Sequence, residues 1–413
     1  MADIRPFMAV RPNKEYASDI AALPYDVYSS AEAREEVKGK PNTFLRIDRA
    51  ETNFDEGIDI YDKKVYEKAA SILNEMISDG RFIKDNKPCY YIYELTMDGR
   101  VQTGIVAASS IDDYDNNIIK KHENTLAAKE QDRINHINVC SAQTGPIFLA
   151  YRDRSEVDKI VDKVVSGSAE YDFVSEDDVR HRVFLIDNED DINTLRQEFS
   201  DTDSIYIADG HHRAASAVKV GKMRREAKGN YTGEEEFNYF LSVLFPDNQL
   251  MIMDYNRVLK DMNGHSIDEL YSELERYFTF SRESESPIKP DKKGGVSLYD
   301  GSKWRLYNIK DEYTSNDPVK GLDVSLLQEL ILQPFFGIDD PKTDNRIDFV
   351  GGIRGLKELE RRCKTDCKVA FAMYPTDISE LFDVADAKRL MPPKSTWFEP
   401  KLRSGLFIHE IEK

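Results

Sequence analysis

Apolar and polar positions recur along this chain with two periods, and each period predicts an element. In "EGIDIYDKKVYEKAASILNEMISDG", Ile58, Tyr61, Val65, Ala69, Ile72, Leu73 and Met76 fall at helical spacing. They predict an amphipathic helix that ends at Gly80. "NEDDINTLRQEFS" opens on acids, which suit the positive end of a helix dipole, and predicts another helix. Strand patterns alternate with these. "CYYIYELTMDGRVQTGIVAAS" is two apolar runs about Asp98-Gly99, a hairpin pattern. "GPIFLAYRD" predicts a strand, and "NYFLSVLFPDNQLMIMDYNRVL" predicts two strands about a turn at Pro246-Asp247-Asn248. Further elements follow in "VSLLQELILQPFFGI" and "KVAFAMYP". "SRESESPIKPDKKGG", residues 281–295, predicts a linker or exposed loop. Strands and helices mix throughout, which predicts an α/β or mixed α+β protein with a boundary near residue 245, between regions 1–245 and 246–413.

Composition narrows the class. The chain has 413 residues, enough for two or three domains and a large core. The longest apolar runs are too short to span a bilayer, and "MADIRPFMAV" lacks the shape of a signal peptide. Four cysteines in so long a chain make no disulfide framework, and a cytoplasmic location without a membrane partner is expected. Cys363 and Cys367 have no second Cys or His pair close by, so they read as ordinary thiols. Net charge is −19, from 57 basic and 76 acidic residues. That balance argues against a nucleic-acid partner, whose binding requires basic surface to displace counterions. It also gives every local cluster of Lys and Arg more meaning.

The densest cluster of reactive side chains is "SIYIADGHHRAASAVKV", residues 204–220. A short β-rich run precedes Gly210, and an alanine-rich helical run follows it. A strand that turns sharply into a helix leaves unpaired N–H groups at the helix start, which favour an anion. Arg213 in the first turn fits only if an anion is there to hold. Asp209 sits at the strand's carboxyl end, placed to hold a metal ion or take a proton. The plain alternative is a helix cap with two ordinary polar histidines.

Three other stretches stand out. In "IAALPYDVYSSAEAREEV", Pro24 stiffens the approach to Tyr25 and Asp26, and Ser29 or Ser30 caps a helix carrying Glu32 and Glu35. Asp26 is a turn residue or a carboxylate facing a site. In "KKHENTLAAKEQDRINHI", Lys129, Asp132, Arg133 and His136 share a helical face, preceded by His122 and Glu123 in a loop. The zinc pattern H-E-x-x-H is not met, because position 126 is Leu. Near the end, "MPPKSTWFEPKLRSGLFI" gathers Lys394, Ser395, Thr396, Lys401 and Arg403, a candidate grip on phosphate or carboxylate. No Walker loop, protein-kinase signature or G-x-S-x-G elbow is present.

"LPYDV", "NTFLRI", "KHENT" with "DR", "YIADGHHR", "NRV" and "PPKSTWFEPKLRSGL" occur in this order. Together they resemble the bacterial and archaeal family called domain of unknown function 1015, over nearly the whole chain. Within it, "DGHHR" resembles the phosphate-binding turn of the ParB/sulfiredoxin superfamily, which includes partitioning proteins, sulfiredoxins and free L-serine kinases. Sulfiredoxins carry a catalytic cysteine where this chain has His211, and partitioning proteins bind DNA. The serine kinases match best. The resemblance implies a ParB/sulfiredoxin-like strand-turn-helix core elaborated with a second α/β region. It implies a cytoplasmic small-molecule phosphotransferase making O-phospho-L-serine with Mg²⁺ from ATP, ADP or pyrophosphate. A phosphoester or nucleotide hydrolase and a non-catalytic, nucleotide-gated binding module are the alternatives. Asp209 would hold the metal or activate the hydroxyl, and Gly210, His211, His212 and Arg213 would bind the transferring phosphoryl group. Asp26 and Glu123 are the candidates for a separate base. Lys394, Ser395, Thr396, Lys401 and Arg403 would hold the donor. His122, Thr125, Asp132 and Arg133 are the candidates for substrate binding.

Overall fold

Asp98 and Gly99 have φ of 52° and 77°, the left-handed pair that a tight two-residue hairpin turn requires. They join β1 (Tyr90–Met97) to β2 (Arg100–Ser110), in register from Tyr91↔Val106 to Met97↔Arg100. In the computed structural model, which describes residues 1–125 and 127–412, the chain divides into two units. The first is Met1–Leu250 with Pro400–Lys413, and the second is Met251–Glu399.

Three more strands build the first unit's main sheet: β3 (Ile147–Tyr151), β4 (Ile205–Asp209) and β5 (Tyr239–Pro246). Its order is 119–120, β4, β3, β5, β2, β1, 180–186, 171–174, with Ile4–Arg5 added on β2. β5 runs parallel to β3, and β4 parallel to 119–120, while the other pairs are antiparallel. Among the helices of this unit are α1 (Lys63–Ser78), α2 (Ala127–Cys140) and α3 (His211–Lys228). α2 packs against both α1 and α3. Ala214, Ala217, Val218 and Val220 of α3 share a core with Ile105, Ile147, Leu149 and Ile207 of the sheet. This is the mixed α/β class that the patterns indicate.

α1 begins later than the periodicity predicts. The Asp62 side chain accepts the Lys64 N–H at 2.9 Å and caps the helix, so Ile58 and Tyr61 lie before it. The Pro246-Asp247-Asn248 turn joins no hairpin. β5 belongs to the first unit's sheet, and the next long strand, Tyr255–Leu259, belongs to the second unit's.

The second unit is built on a six-stranded antiparallel sheet in the order 278–284, 304–309, 295–299, 369–373, 255–259, 347–351. Residues 281–295 are therefore no linker between domains. They start as part of strand Phe278–Ser284 and end as the loop into strand Gly295–Tyr299, both in this sheet. Cys363 and Cys367 are free thiols.

The segment from Pro400 completes the first unit. Ser404 bridges Ala22, Ile408 bridges Val10, and His409–Glu410 pairs with Ala142–Gln143. Gly405 makes this possible. Its φ is +86°, and a Cβ there would lie 2.6 Å from Phe44 Cγ. Among the described residues no helix is long and apolar enough to cross a membrane.

Candidate functional site

The end of β4 is bent. Ile207 pairs with Leu149 and Asp209 with Phe148, so Ala208 is an extra residue, a bulge that re-aims the strand's last side chain. Gly210 follows at φ 94° and ψ 31°, and α3 starts at His211 with no side-chain cap. The helix start is left as an anion-accepting end. Arg213 folds back over the turn. A Cβ on Gly210 would lie 3.1 Å from its Nε and 3.3 Å from its Cζ, so a side chain there would strain the left-handed backbone and press on the Arg213 guanidinium. Nη1 of Arg213 donates to the Pro146 carbonyl at 2.5 Å. Its Nε is buried and has no hydrogen-bond partner among the described residues. A buried donor without a partner costs about 1–3 kcal/mol, a cost that an oxyanion ligand would remove.

Asp209 is bound on both oxygens. Oδ1 accepts its neighbour Gly210 N–H at 2.8 Å, and Oδ2 accepts Lys401 Nζ at 2.8 Å. Burial would raise the Asp209 carboxyl, but the charges of Lys401 and Arg213 outweigh it and hold the group well below the usual carboxylate range. Asp209 is thus a firm anion and a poor proton acceptor at neutral pH.

The two histidines of the turn differ. His211 is buried and stacks edge-on against His122, with ring centroids 4.4 Å apart. Burial brings His122 down to about 4 and also lowers His211, where the neighbouring His122 adds to the effect. Both rings are neutral at pH 7. His122, placed by sequence in a loop, is only 2% exposed, and its Nδ1 has no partner among the described residues. His212 is half-buried, and its charge helps lower the Glu130 carboxyl, after burial, which raises it, and Lys219, which lowers it.

A second polar cluster lies on α2. The Arg133 guanidinium is buried 4.0 Å from the Tyr25 ring centroid and pairs with Asp132 at 2.7 Å. Tyr66 donates to the other oxygen of Asp132 at 2.9 Å. Burial pushes the Tyr25 phenol up to about 12, against the opposing charges of Arg133 and Arg213 and with the help of Asp26. Arg133, Arg213, His136, Asp48 and Ser404 line one cavity of about 30 Å³, room for a single water. Asp48 accepts Thr144 Oγ1 at 2.9 Å there, and His136 Nε2 lies 3.1 Å from the Ile47 carbonyl.

The structure thus brings Asp209, Gly210, His211, Arg213, Lys401 and His122 into one neighbourhood, with Arg133 reaching the same cavity as Arg213. Asp26 is exposed in a 3-10 turn after Pro24, and Glu123 is half-buried beside His122 in sequence. Thr125 Oγ1 donates to Glu130 at 2.8 Å. Lys129, expected on the face of Arg133 and His136, is exposed. Arg403 is held by Ser175 and Asp177. Lys394, Ser395 and Thr396 belong to the second unit. There Ser395 Oγ donates to the Pro392 carbonyl at 2.6 Å, and the Lys394 carbonyl accepts Arg257 Nη2 at 3.1 Å. Sequence reasoning missed Asp48, Tyr66, Glu130, Thr144 and Ser404. Asp48 directly follows "NTFLRI", and that adjacency was the available signal.

Residues 4–325 match a family model described as a protein of unknown function, DUF1015. The chain belongs to this family. No curated protein matches the DUF1015 chain. Among solved structures, it is similar to a free serine kinase in complex with AMP, at 14% identity and a TM-score of 0.32, covering 71% of this chain and 86% of that one. A conserved hypothetical protein from Pyrococcus furiosus is 14% identical at a TM-score of 0.32, covering 74% and 94%. Truncated SbnI from Staphylococcus aureus is 12% identical at a TM-score of 0.35, covering 71% and 82%. Among the described residues no three His, Cys, Asp or Glu side chains gather as a metal site.

Proposed function

We propose that this DUF1015 protein is a small-molecule phosphotransferase acting on an alcohol, with free L-serine as acceptor and ATP, ADP or pyrophosphate as donor. The observation that carries the reading is the buried, unpartnered Arg213 Nε lying over the left-handed Gly210 at the uncapped start of α3. Phosphoryl transfer depends mainly on positioning and charge neutralisation, and this turn offers both. The first amides of α3 and the Arg213 guanidinium hold phosphoryl oxygens. Neutral His211 braces the turn through His122, and His212, half-buried in the first turn of α3, is the histidine left to meet a phosphoryl oxygen. Lys401 moves between Asp209 and a donor oxygen.

Mg²⁺ fits only as a shared ion. Asp209 is the carboxylate that would hold it, with remaining ligands from phosphate and water, an ordinary pattern for Mg²⁺. When bound, it would neutralise donor charge. Asp209 is too acidic to be the base, so that role goes to Asp26 or Glu123. Lys394, Ser395 and Thr396 are kept as donor-binding candidates on the second unit. His122, Thr125, Asp132 and Arg133 are kept as candidates on the acceptor side.

The test is turnover of the purified protein with Mg²⁺, L-serine and each donor, followed by phosphorus NMR. Phosphoserine should form with one donor, and folded Arg213→Ala should lose about 100-fold or more in rate, as charge-stabilising groups do. Absence of any phosphorylated product across donors and hydroxyl acceptors, or an unchanged rate in Arg213→Ala, overturns the reading.

A further inference from the structure

A cleft of about 590 Å³ opens in the first unit between residues 18–45 and the 174–177 turn, with Arg403 in its wall. Its size lies within the range of small-molecule sites. Ala21, Ala22 and Leu23 make one side apolar. The charged groups are almost all spent on one another. Lys40 Nζ lies 2.7 Å from both Glu36 and Glu176. Arg403, 3% exposed, donates from Nη2 to Ser175 Oγ at 3.0 Å and to Asp177 Oδ2 at 2.6 Å.

Two groups of opposite character remain. Arg403 Nη1 is buried without a hydrogen-bond partner among the described residues. Asp19 is exposed on the same cleft and makes no ion pair among them. Burial pushes Tyr28 up to about 12, so its phenol keeps its proton and can still donate. In total, four carboxylates (Asp19, Glu36, Glu176 and Asp177) face two cations, Lys40 and Arg403. A polyphosphate would meet net repulsion here. A simple amine would leave Arg403 Nη1 unsatisfied, and a simple carboxylate would add to the surplus of negative charge.

We propose that this cleft binds a free α-amino acid, its carboxylate displacing the wall to reach the buried, unpartnered Nη1 of Arg403 and its ammonium group taking Asp19. Charge-assisted hydrogen bonds at both ends of one zwitterion would use Arg403 Nη1 and the Asp19 carboxylate, the charged groups of the cleft that lack a partner of their own among the described residues. Lys401 holds Asp209, and Arg403 follows two residues later in the same segment. None of His122, Thr125, Asp132 and Arg133 lines this cleft, so the binding does not rest on the phosphotransferase reading.

The test is calorimetric titration of the full chain, without donor or turnover, so it stands apart from any kinase assay. The probes are L-serine and L-alanine, with propionate and ethanolamine as half-ligands. Both amino acids should bind, and each half-ligand should bind at least about tenfold more weakly for the charge-assisted bond it lacks. Asp19→Asn, an exposed change that leaves the core intact, should weaken amino-acid binding by a similar factor. Arg403→Lys, which keeps a charge for Asp177 but removes Nη1, should do the same. If that variant does not fold, Asp19→Asn decides alone. No binding of either amino acid to the unaltered protein, half-ligands that bind as well as the zwitterions, or unchanged affinity in Asp19→Asn or in folded Arg403→Lys overturns the proposal.

Discussion

His211 and His212 are neighbours in sequence, yet one is buried against another histidine and the other is half-buried beside Glu130's charge. Their substitution should therefore differ in kind. His211→Asn breaks the ring pair and should lower stability. His212→Asn should leave stability nearly intact and lower turnover, by whichever product the assay finds. Urea midpoints and rates measured side by side check this, and equal, negligible losses in both would make the pair incidental to the turn. The His122 ring also sets a pH dependence. Its folded value of about 4 lies below the ordinary 6.5, so between those limits the unfolded chain takes up a proton that the native ring refuses. Its contribution is fully present above pH 6.5 and is lost as pH falls towards 4, by no more than roughly 3 kcal/mol. His211 acts in the same direction. The urea midpoint of His122→Phe should fall less between pH 7.5 and 4.5 than that of the unaltered protein, while the titrating carboxylates cancel in the comparison. The chemistry at residues 209–213 was legible because its groups are contiguous. Asp48, Tyr66 and Thr144 were not, because each is an ordinary residue until folding sets it beside Arg133.

Elements were legible where their own residues specify both ends. Asp98-Gly99 fixes its hairpin and Ser29 caps its helix with a Glu32 capping box, so each was visible locally. Asp62 outranks Ile58 and Tyr61 because a capping carboxylate satisfies an orphan N–H, whereas apolar spacing carries no start signal. Pro246 marked a turn without saying what the flanking strands pair with, since partner choice is non-local. Two left-handed glycines give a controlled test of what sterics add to φ. Gly39 has φ +72° and open space where a Cβ would stand, with nothing within 4 Å, whereas Gly405 at φ +86° would drive one into Phe44 at 2.6 Å. Gly39→Ala should cost about 1 kcal/mol of backbone strain. Gly405→Ala should cost at least about 2 kcal/mol more, because the overpacked Phe44 must also shift. Thermal denaturation of both variants measures the difference, and equal costs would show that Phe44 yields freely.

At the scale of the molecule, the stretch "PPKSTWFEPKLRSGL" spans the point where the chain passes from the second unit back to the first. Its first half lies in one and Lys401 to Gly405 in the other. No local pattern marks that crossing, which is why reading along the sequence keeps the stretch whole. A chain ending at Glu399 should therefore lose stability in the first unit, where residues 10, 22 and 142–143 forfeit their partners. The second unit should keep its backbone protection. Hydrogen exchange read segment by segment distinguishes the two, and unchanged protection in strand Tyr90–Met97 and its neighbours would contradict the assignment.

The Lys401–Asp209 pair joins positions 192 residues apart. On a ribosome adding about 5–20 residues per second, Asp209 is made roughly 10–40 s before its partner. Through that interval the turn has its carboxylate but not the cation that anchors it, and residues 10, 22 and 142–143 wait for a strand not yet made. A nascent chain can build β1 to β5 and begin the second unit, but it cannot finish the first. Completion of the pocket is thus a late event in synthesis, and a stalled or clipped chain would expose its half-built site to chaperones and proteases rather than to substrate.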